Sequence, residues 1–480
     1  MSVTLLPPDS FALFADTAEK VRATTKRLEK AALLGDYFRT LADTDLALAA
    51  RYFSGYVFSL RDQRTINVGG AALIAAIIAA SGALETTVRT RLVALGDAGD
   101  VVAELFAERE LPVSETLHLT DVASFLEKLS LLRGSRQKVE AITTALAGLT
   151  ATQAKYFVKL LQGDLRIGLK EGAVEDALAR LSETTVAAVQ RANMLTGDIG
   201  ETALLARRKT LDSAAMHLLH PLKFMLATPA ADLADVARQM PTTGFVVEDK
   251  FDGIRAQVHI SPTADDADSK RSLLHGTVVD GRRVALFSRT LDEITGSFPD
   301  LLPSLAALIP NLPGHGLILD GEILPVAPLA ETNSAPTEIL SFQRLQPRLG
   351  RKAISPDLLA QTPAAFVAYD LLFVGEKILL EEPFHVRRTI LESLPVDGQT
   401  VRRADSHLFT EIALLDEEFN AARRRGNEGL MVKDPASVYK PGRRGREWLK
   451  MILPGASSGV SIGFQRPESR RRFIRILTDA

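Results

Sequence analysis

One lysine in this 480-residue chain stands where a side chain could form a covalent bond with a substrate. The apolar residues 245–247 indicate a buried strand, and Lys250 follows them, two residues before the turn signal Asp252-Gly253. Burial at a strand end disfavours the charged ammonium, and a neutral lysine amine is a nucleophile. Arg255 adds a cation that could hold an anion or a sugar hydroxyl. The pattern alone leaves open a plain surface hairpin that carries a lysine and an arginine.

Carboxylates, cations and an aromatic residue recur later in the chain, each near a short apolar run or a turn. Attack on the α-phosphate of a nucleoside triphosphate requires cations or a metal ion to meet the growing negative charge. A hard cation such as Mg²⁺ prefers carboxylate oxygens and keeps several waters. Taken singly, each segment could be an ordinary turn, a solvated strand end or a core aromatic. The segments are Ser288-Arg289, Asp320-Gly321-Glu322, Tyr369-Asp370, Glu428-Gly429 with Met431 and Lys433, and Trp448 with Lys450.

Two regions with different hydrophobic patterns must position these residues. Residues 1 to about 215 have helix-like apolar spacing, whereas from about 216 short apolar runs divided by Gly, Pro, Asp and Ser favour a sheet-rich α+β domain. The predicted division is a helical domain at 1–215, an α+β domain at 216–455 and a basic tail at 456–480. The expected helices include 85–95, 101–108, 121–132, 138–148, 152–161, 171–181, 185–195 and, in the second domain, 297–308.

Composition excludes several classes of function. A net charge of −2 is not that of a globally basic protein, although it allows local basic faces. No cysteine is present, so disulfides, thiol catalysis and thiolate metal sites are excluded. Residues 1–19 lack a basic segment followed by an apolar core, so no signal peptide is expected, and the apolar run at 71–80 is too short to span a bilayer. We therefore expect a cytoplasmic protein that does not bind a membrane.

The order of the motifs resembles that of the ATP-dependent DNA ligases, which belong to the covalent nucleotidyltransferase superfamily. That family carries Lys-x-Asp-Gly-x-Arg, Ser-Arg, Asp-Gly-Glu, an aromatic residue before Asp, Glu-Gly-x-Met-x-Lys and Trp-x-Lys in the order found here between residues 222 and 452. The resemblance implies an α+β nucleotidyltransferase (adenylation) domain with antiparallel sheets, preceded by an all-α DNA-binding domain.

The resemblance also assigns roles to the motif residues. Lys250 is the catalytic nucleophile. Glu248 reads the adenine amino group, and Tyr369 stacks on the base where the family often has Phe. Arg255 and Arg289 contact the ribose and phosphates, and Lys433 and Lys450 clamp the α-phosphate. Glu322 and Glu428 bind Mg²⁺ or another divalent cation. The ATP-binding set is therefore Glu248, Arg255, Arg289, Glu322, Tyr369, Lys433 and Lys450.

The helical region resembles the DNA-binding domain that precedes the catalytic core in many of these ligases. Gly134, Ser135, Arg136 and Lys138 stand at the start of a predicted helix, where free backbone amides and cations suit a phosphate. The alternative is a capped helix with a solvated basic face. The resemblance favours contacts from these four residues to the DNA backbone.

Three departures from the family pattern stand out. Ile452 occupies the position where the last motif often has a second lysine, and Phe224 stands where proline is usual. The family continues into a C-terminal β-barrel (OB-fold) domain, and the residues after Pro454 are too few to form one. We expect that barrel to be missing, and we interpret the arginine-rich 456–480 segment as a disordered tail or truncated remnant.

The resemblance implies an ATP-dependent DNA ligase. Such an enzyme seals nicks with 3′-hydroxyl and 5′-phosphate ends through a lysine–AMP intermediate and a DNA adenylate, in replication, repair or recombination. ATP is the AMP donor and nicked double-stranded DNA is the partner, with the protein acting as a monomer. Two alternatives stay open: an RNA ligase or capping-type nucleotidyltransferase, and a non-catalytic nick-binding remnant without the barrel.

Overall fold

The computed structural model describes residues 6–59, 62, 64–107, 116–169, 171–263, 275–310, 314–327, 338–349, 351 and 354–452. These residues divide into two compact units, one ending at Ala215 and the other beginning at Met216. The predicted basic tail at 456–480 lies outside the described residues.

The first unit is helical, which confirms the prediction from its apolar spacing. Its helices are α1 Phe11–Ala23, α2 Arg27–Thr40, α3 Asp43–Phe53, α4 Gly70–Ser81, α5 Glu85–Leu95, α6 Ala98–Phe106, α7 Leu119–Leu131, α8 Ser135–Ala147, α9 Ala151–Gln162, α10 Glu171–Ser182, α11 Val186–Thr196 and α12 Ile199–Arg207. Side-chain caps define several of the starts. Thr150 and Gln153, for example, form a reciprocal capping box at α9. The apolar faces of these helices share one hydrophobic core.

Helix ends in this unit follow local backbone chemistry. The predicted helix at 85–95 coincides with α5, which ends where Gly96 adopts a left-handed conformation with φ of 64°.

The helix α4 is apolar throughout, and only its Leu73, Ala76 and Ile77 are fully buried. Among the described helices, none alone has the length and apolar character to cross a membrane; α4 and α5 reach that criterion only as a pair bent by 119°.

The second unit combines two sheets with short helices. Its elements are β1 Leu226–Pro229, α13 Leu233–Gln239, β2 Phe245–Lys250, β3 Ile254–Pro262, β4 Thr277–Val279, β5 Arg282–Ser288, α14 Leu302–Ala306, β6 Gly316–Pro325, α15 Pro356–Gln361, β7 Ala364–Gly375, β8 Lys377–Ile378, α16 Phe384–Ser393, β9 Val401–Arg403, β10 Ser406–Phe409, α17 Leu415–Arg424, β11 Gly429–Lys433 and β12 Arg444–Ile452. Neither sheet closes into a barrel within the described residues.

The strand order brings distant motifs into neighbouring positions. One sheet has the order β1-β12-β11-β2-β10, and the other has the order β4-β5-β3-β6-β7-β8, with β9 beside β7. Pairing is antiparallel except for β1 with β12 and β7 with β9. The predicted antiparallel α+β domain is therefore confirmed. Alternate residues of the strands pack into two cores, a larger one on the second sheet and a smaller one on the first.

The predicted helix at 297–308 is shorter in the structure. Two 3₁₀ turns, Thr295–Ser297 and Pro299–Leu301, precede the short helix α14. Proline has no backbone N–H and restricts the residue before it, so Pro299 and Pro303 each interrupt the regular hydrogen bonding. The apolar spacing was consistent with one helix, but the two prolines divide it.

A segment before β1 is attached to the polar face of β3. The Leu219 amide donates to Nδ1 of His259 over 3.1 Å, and the Leu222 amide donates to Oε1 of Gln257 over 2.8 Å. His259 and Gln257 are fully buried and lie on the same face of β3, because they are two residues apart. The same face continues to Arg255, which lines the candidate site.

Candidate active site

A pocket lies between strands of the two sheets in the second unit. It is lined by the predicted nucleophile and by all seven residues predicted to bind ATP. The complete lining is Leu226, Ala227, Glu248, Asp249, Lys250, Phe251, Arg255, Arg289, Glu322, Tyr369, Met431, Lys433, Arg444, Trp448 and Lys450. The fold therefore brings together predicted residues that are up to 202 positions apart in the sequence, from Glu248 to Lys450.

Lys250 ends β2 beside the start of β11. Gly429 is its register partner, and the Glu428 amide donates to the Lys250 carbonyl over 2.8 Å. A Cβ at Gly429 would overlap the carbonyl oxygen of Met451 on β12, so only glycine lets β11 and β12 meet this closely. The Lys250 ammonium contacts the carboxylate of Glu428, the residue immediately before β11.

The turn after Lys250 also depends on a glycine. A Cβ on Gly253 would lie 2.5 Å from the carbonyl oxygen of Ile323, which belongs to the neighbouring strand β6. The Asp-Gly signal in the sequence thus reflects close backbone packing as well as a turn. Burial raises the pKa of Asp252, and the nearby Glu428 carboxylate raises it further.

Glu322 is a second carboxyl group in the pocket wall. Burial raises its pKa to about 8, with further contributions from the Asp320 and Glu428 carboxylates, while Lys250 and Arg255 oppose the rise. A cation bound nearby would lower the free-energy cost of ionising the Glu322 carboxyl group. No group of three or more His, Cys, Asp or Glu side chains that could hold a metal occurs within the described ranges.

The two carboxyl groups nevertheless suit one kind of metal ion. Mg²⁺ is commonly held by one or two carboxylates together with waters and substrate phosphates, so it does not need a dense protein cluster. Glu322 and Glu428 are close enough to influence each other electrostatically, and both lie near Lys250. The donor set fits Mg²⁺, and the predicted metal contacts of these two residues stay predictions.

Arg255 is held by partners that the sequence analysis did not assign. Its Nε and Nη2 donate to the two carboxylate oxygens of Asp320 over 3.2 and 2.8 Å, and its Nη1 donates to the Met225 carbonyl over 2.8 Å. The Tyr439 hydroxyl donates to the same Asp320 over 2.7 Å. The guanidinium also lies 4.7 Å from the ring centre of Phe224, so the residue that replaces the family's proline packs on this arginine.

The other end of the pocket combines an aromatic ring with a buried ion pair. Lys433 lies 2.5 Å from the Glu248 carboxylate, and its ammonium is 5.1 Å from the ring centre of Tyr369. Glu248 and Lys250 are on the same face of β2, because they are two residues apart. The predicted base-binding residues Glu248 and Tyr369 are therefore together, and Lys433 lies with them.

Cations gather at the mouth of the pocket. Burial lowers the pKa of Lys450, and the positive charges of Lys250, Arg289 and Arg444 lower it further. Arg289 and Arg444 are exposed, and within the described residues neither guanidinium forms a hydrogen bond or ion pair. Arg444 was not predicted as a site residue. Its position in β12, an even number of residues before Trp448 and Lys450, was a signal that could have identified it.

The predicted DNA-binding residues divide into two groups. Gly134 caps α8, and Ser135 and Arg136 are exposed in its first turn, where Arg136 pairs with Glu140 over 2.8 Å. Lys138 is buried, with only 5% of its surface exposed. Its ammonium donates to the carbonyls of Ile66 and Asn67 over 2.7 and 3.2 Å. For Lys138 the structure favours attachment of the 66–67 segment over the predicted contact with DNA.

The pocket as a whole has the chemistry that a nucleoside triphosphate requires. One end offers an aromatic ring and a buried carboxylate for a base. The other end offers an amine nucleophile, two carboxyl groups and several cations for phosphates.

Two family models match the chain. One is described as DNA ligase N terminus and matches residues 10–179. The other is described as ATP dependent DNA ligase domain and matches residues 266–451, which contain most of the pocket residues but begin after Lys250. The two matches lie in the helical unit and in the two-sheet unit respectively.

Curated relatives extend the similarity over nearly the whole chain. A probable DNA ligase of Koribacter versatilis is 37% identical over 462 residues, covering 92% of this chain and 74% of the relative. A probable DNA ligase of Opitutus terrae is 33% identical and covers 97% of this chain, which spans about half, 52%, of that longer protein. A solved structure named Pmar-Lig_Pre has a TM-score of 0.53 at 15% identity, covering 92% of this chain and 78% of the other, and supports the fold. The chain belongs to the family of ATP-dependent DNA ligases.

Proposed function

We propose that this ligase seals nicks in double-stranded DNA and that Lys250 carries AMP between ATP and the DNA end. The observation that carries the proposal is the convergence of Lys250 and all seven predicted ATP-binding residues on one pocket. The protein acts as a monomer in the cytoplasm, in replication, repair or recombination. Covalent catalysis of this kind divides one difficult phosphoryl transfer into easier steps.

In the first step Nζ of Lys250 attacks the α-phosphorus of ATP. An N–P bond forms, the P–O bond to the β-phosphate breaks, and pyrophosphate leaves with that electron pair. Nζ must be the neutral amine when it attacks, so one proton leaves to the solvent beforehand, and a second passes to the departing pyrophosphate as the phosphoramidate N–H forms. The adjacent Glu428 carboxylate fixes the amine at the end of β2. Lys450 and Arg289 meet the charge that develops on the phosphate oxygens, and Arg444 adds a third cation at the same mouth.

Glu322 and Glu428 would hold Mg²⁺ together with oxygens of the triphosphate. The ion would neutralise part of the negative charge of the triphosphate, so that the electron pair of the Lys250 amine could approach the α-phosphorus with less repulsion. The raised pKa of Glu322 agrees with a site that is completed by a cation. Tyr369 stacks on the adenine, and Glu248 accepts from its amino group.

The following steps transfer AMP to the nick. The 5′-phosphate oxygen displaces Lys250 and forms a DNA adenylate, and the 3′-hydroxyl then displaces AMP and joins the strands. The DNA backbone contacts Gly134, Ser135 and Arg136 at the start of α8 in the helical unit. Exposed backbone amides and a cation at this position attract the negatively charged phosphates. Lys138 supports that surface from within by holding residues 66–67.

Labelling with ATP that carries a radioactive α-phosphate tests the covalent step. The wild type with Mg²⁺ should retain the label after denaturation, and Lys250→Ala should retain none. Lys377→Ala is the matched control, because Lys377 is an exposed lysine of the same unit that pairs with Glu382. Joining of a nicked duplex, followed on a denaturing gel, tests the complete reaction. Undiminished labelling of Lys250→Ala would refute the assignment of the nucleophile.

A further inference from the structure

A buried carboxylate at the inner end of the pocket lies between two cations. Glu248 is 3% exposed, and its Oε2 lies 2.5 Å from Nζ of Lys433. On the other side its Oε1 lies 3.9 Å from Nη1 of Arg388, a residue of α16 that the motif pattern did not indicate. Oε1 and this Nη1 are both buried, and neither has a hydrogen-bond partner among the described residues.

Lys433 is fixed by its surroundings. Its ammonium lies 4.4 Å from the ring centre of Trp448, 4.5 Å from that of Phe384 and 5.1 Å from that of Tyr369. Three aromatic faces at these distances attract a cation and exclude water. With only 1% of its surface exposed, the ammonium is held against Glu248.

Arg388 is fixed as well. Its Nε donates to Glu392 over 2.8 Å, and its Nη2 donates to the Ala404 carbonyl over 2.7 Å. These two bonds leave Nη1 directed at Glu248. The carboxylate thus lies between two cations that the fold has already placed.

The unused oxygen of Glu248 indicates a ligand. A buried polar atom without a partner costs free energy, and a separation of 3.9 Å is too long for a direct hydrogen bond. Ionised carboxylate oxygens can only accept hydrogen bonds. Adenine offers an amino donor at C6, whereas guanine and hypoxanthine carry a carbonyl oxygen there, which would face the carboxylate as a second acceptor.

We propose that Lys433 and Arg388 are positioning residues that hold Glu248 as the acceptor for the 6-amino group, so that selection of adenine over 6-oxopurines depends on all three. The inference rests on the proposed use of this pocket for ATP. It replaces the α-phosphate contact predicted for Lys433. In the pairing of β11 with β2, Lys433 is opposite Val246 and Gly429 is opposite Lys250. The backbone of Lys433 is therefore four residues, or about 13 Å, from that of the nucleophile along the strand direction.

Equilibrium binding of ATP and of inosine triphosphate tests this inference without any transfer of AMP. The two nucleotides differ at the 6-position, and inosine lacks the 2-amino group of guanine. Full-length Lys250→Ala protein, which cannot form the covalent intermediate, serves as the background for calorimetry. Arg388→Gln and Lys433→Met should each weaken ATP binding and lower the preference for ATP over inosine triphosphate by about tenfold. Arg388→Lys should keep more of the preference than Arg388→Gln.

Arg424→Gln is the matched control, because Arg424 is an exposed arginine of α17 outside the pocket lining. It should leave both affinities unchanged. An unchanged preference in Arg388→Gln would overturn the role of Arg388. Equal losses for both nucleotides in Lys433→Met, with normal thermal unfolding, would place that lysine at the phosphates and overturn its role here. Failure of wild-type labelling in the presence of normal binding would count against the covalent step alone.

Discussion

The two ends of the nucleotide pocket are built in opposite ways. At the inner end Glu248 and Lys433 are buried and paired with each other, and the neighbouring Arg255 is fastened to Asp320. At the mouth Arg289 and Arg444 are exposed, and their guanidinium groups have no partner among the described residues. The inner end is therefore completed by folding, whereas the mouth keeps its cations available for the phosphates that we propose bind there.

The difference follows from the cost of burying charge. A buried charge is tolerated only when it is paired and hydrogen-bonded, so the inner end must carry its counter-charges within the protein. Exposed cations remain hydrated and cost little until an anion arrives. Changes at the inner end should consequently alter stability and base preference, and changes at the mouth should alter the rate of AMP transfer.

Breaking the Arg255–Asp320 pair should have the largest effect on stability. Asp320 is fully buried and accepts hydrogen bonds from both Arg255 and Tyr439. Asp320→Asn leaves the guanidinium buried without its charge partner, so the free energy of unfolding should fall by about 3–5 kcal/mol. The fluorescence of Trp448, the single tryptophan of the chain and a residue of the same unit, reports this transition in a denaturant titration.

An exposed pair on the rim of the same pocket provides the control. Asp249 accepts from Nε and Nη2 of Arg425 over 2.8 and 2.6 Å, so its hydrogen bonding resembles that of Asp320. Arg425 is 47% exposed, however, and Asp249→Asn should cost less than about 1 kcal/mol. Equal losses for the two variants would contradict the distinction between the inner end and the rim.

Removing the lysine nearest the phosphates should instead affect chemistry. Lys450 lies near Lys250 and two exposed arginines, at the end of the pocket where the proposed reaction develops transition-state charge. Lys450→Met should slow labelling of the enzyme by about 100-fold, the usual scale for losing one electrostatic contact in a transition state. Single-turnover labelling at saturating ATP measures the rate, and the unfolding midpoint should hardly move. A large loss of stability with little loss of rate would reverse the assignment of this end.

The sequence predicts the contents of the pocket better than its internal contacts. The order of the motifs, through its resemblance to that of a known family, identified Lys250 and seven further residues that line the pocket. Asp320 and Arg388 could not be assigned. Their partners lie 65 residues away at Arg255 and 140 residues away at Glu248, so only the register of the sheets and the placement of α16 bring them together.

The sequence also does not show which basic residues are buried and which are exposed. Lys138 and Arg136 are two positions apart and look alike in the sequence, yet one is buried against backbone carbonyls and the other is exposed. The helical period decides this, since two positions rotate a side chain to another face of α8. The helices themselves followed from that period, apart from the interruption of 297–308 by Pro299 and Pro303.

Acid should weaken the polar face of β3 behind the inner end. Burial lowers the pKa of His259 to about 3, and the charge of His275 contributes, so the unfolded chain binds a proton at higher pH than the folded protein does. The contribution of neutral His259 to the free energy of unfolding is therefore fully present above the unfolded pKa near 6.5, and it is lost as pH falls toward 3. The loss attributable to this residue should be about 1.4 kcal/mol per pH unit within that window.

The variant His259→Asn isolates this contribution. Its amide oxygen can still accept from the Leu219 amide but does not titrate. Denaturant titrations at a series of pH values should show a shallower acid loss for the variant than for the wild type. Parallel curves would mean that protonation of His259 does not cause the loss of stability in acid.

The smallest predicted effect concerns Arg444 at the mouth. An exposed cation contributes weakly and is screened by salt, so Arg444→Gln should raise the KM for ATP by only about threefold at low ionic strength, and less at high salt. Arg446→Gln is the control, because Arg446 is also an exposed arginine of β12 but does not line the pocket. Steady-state labelling at two salt concentrations measures both variants. A loss as large as that of Lys450→Met, persisting in high salt, would mean that Arg444 is desolvated on the phosphates and that even the mouth is closed when ATP is bound.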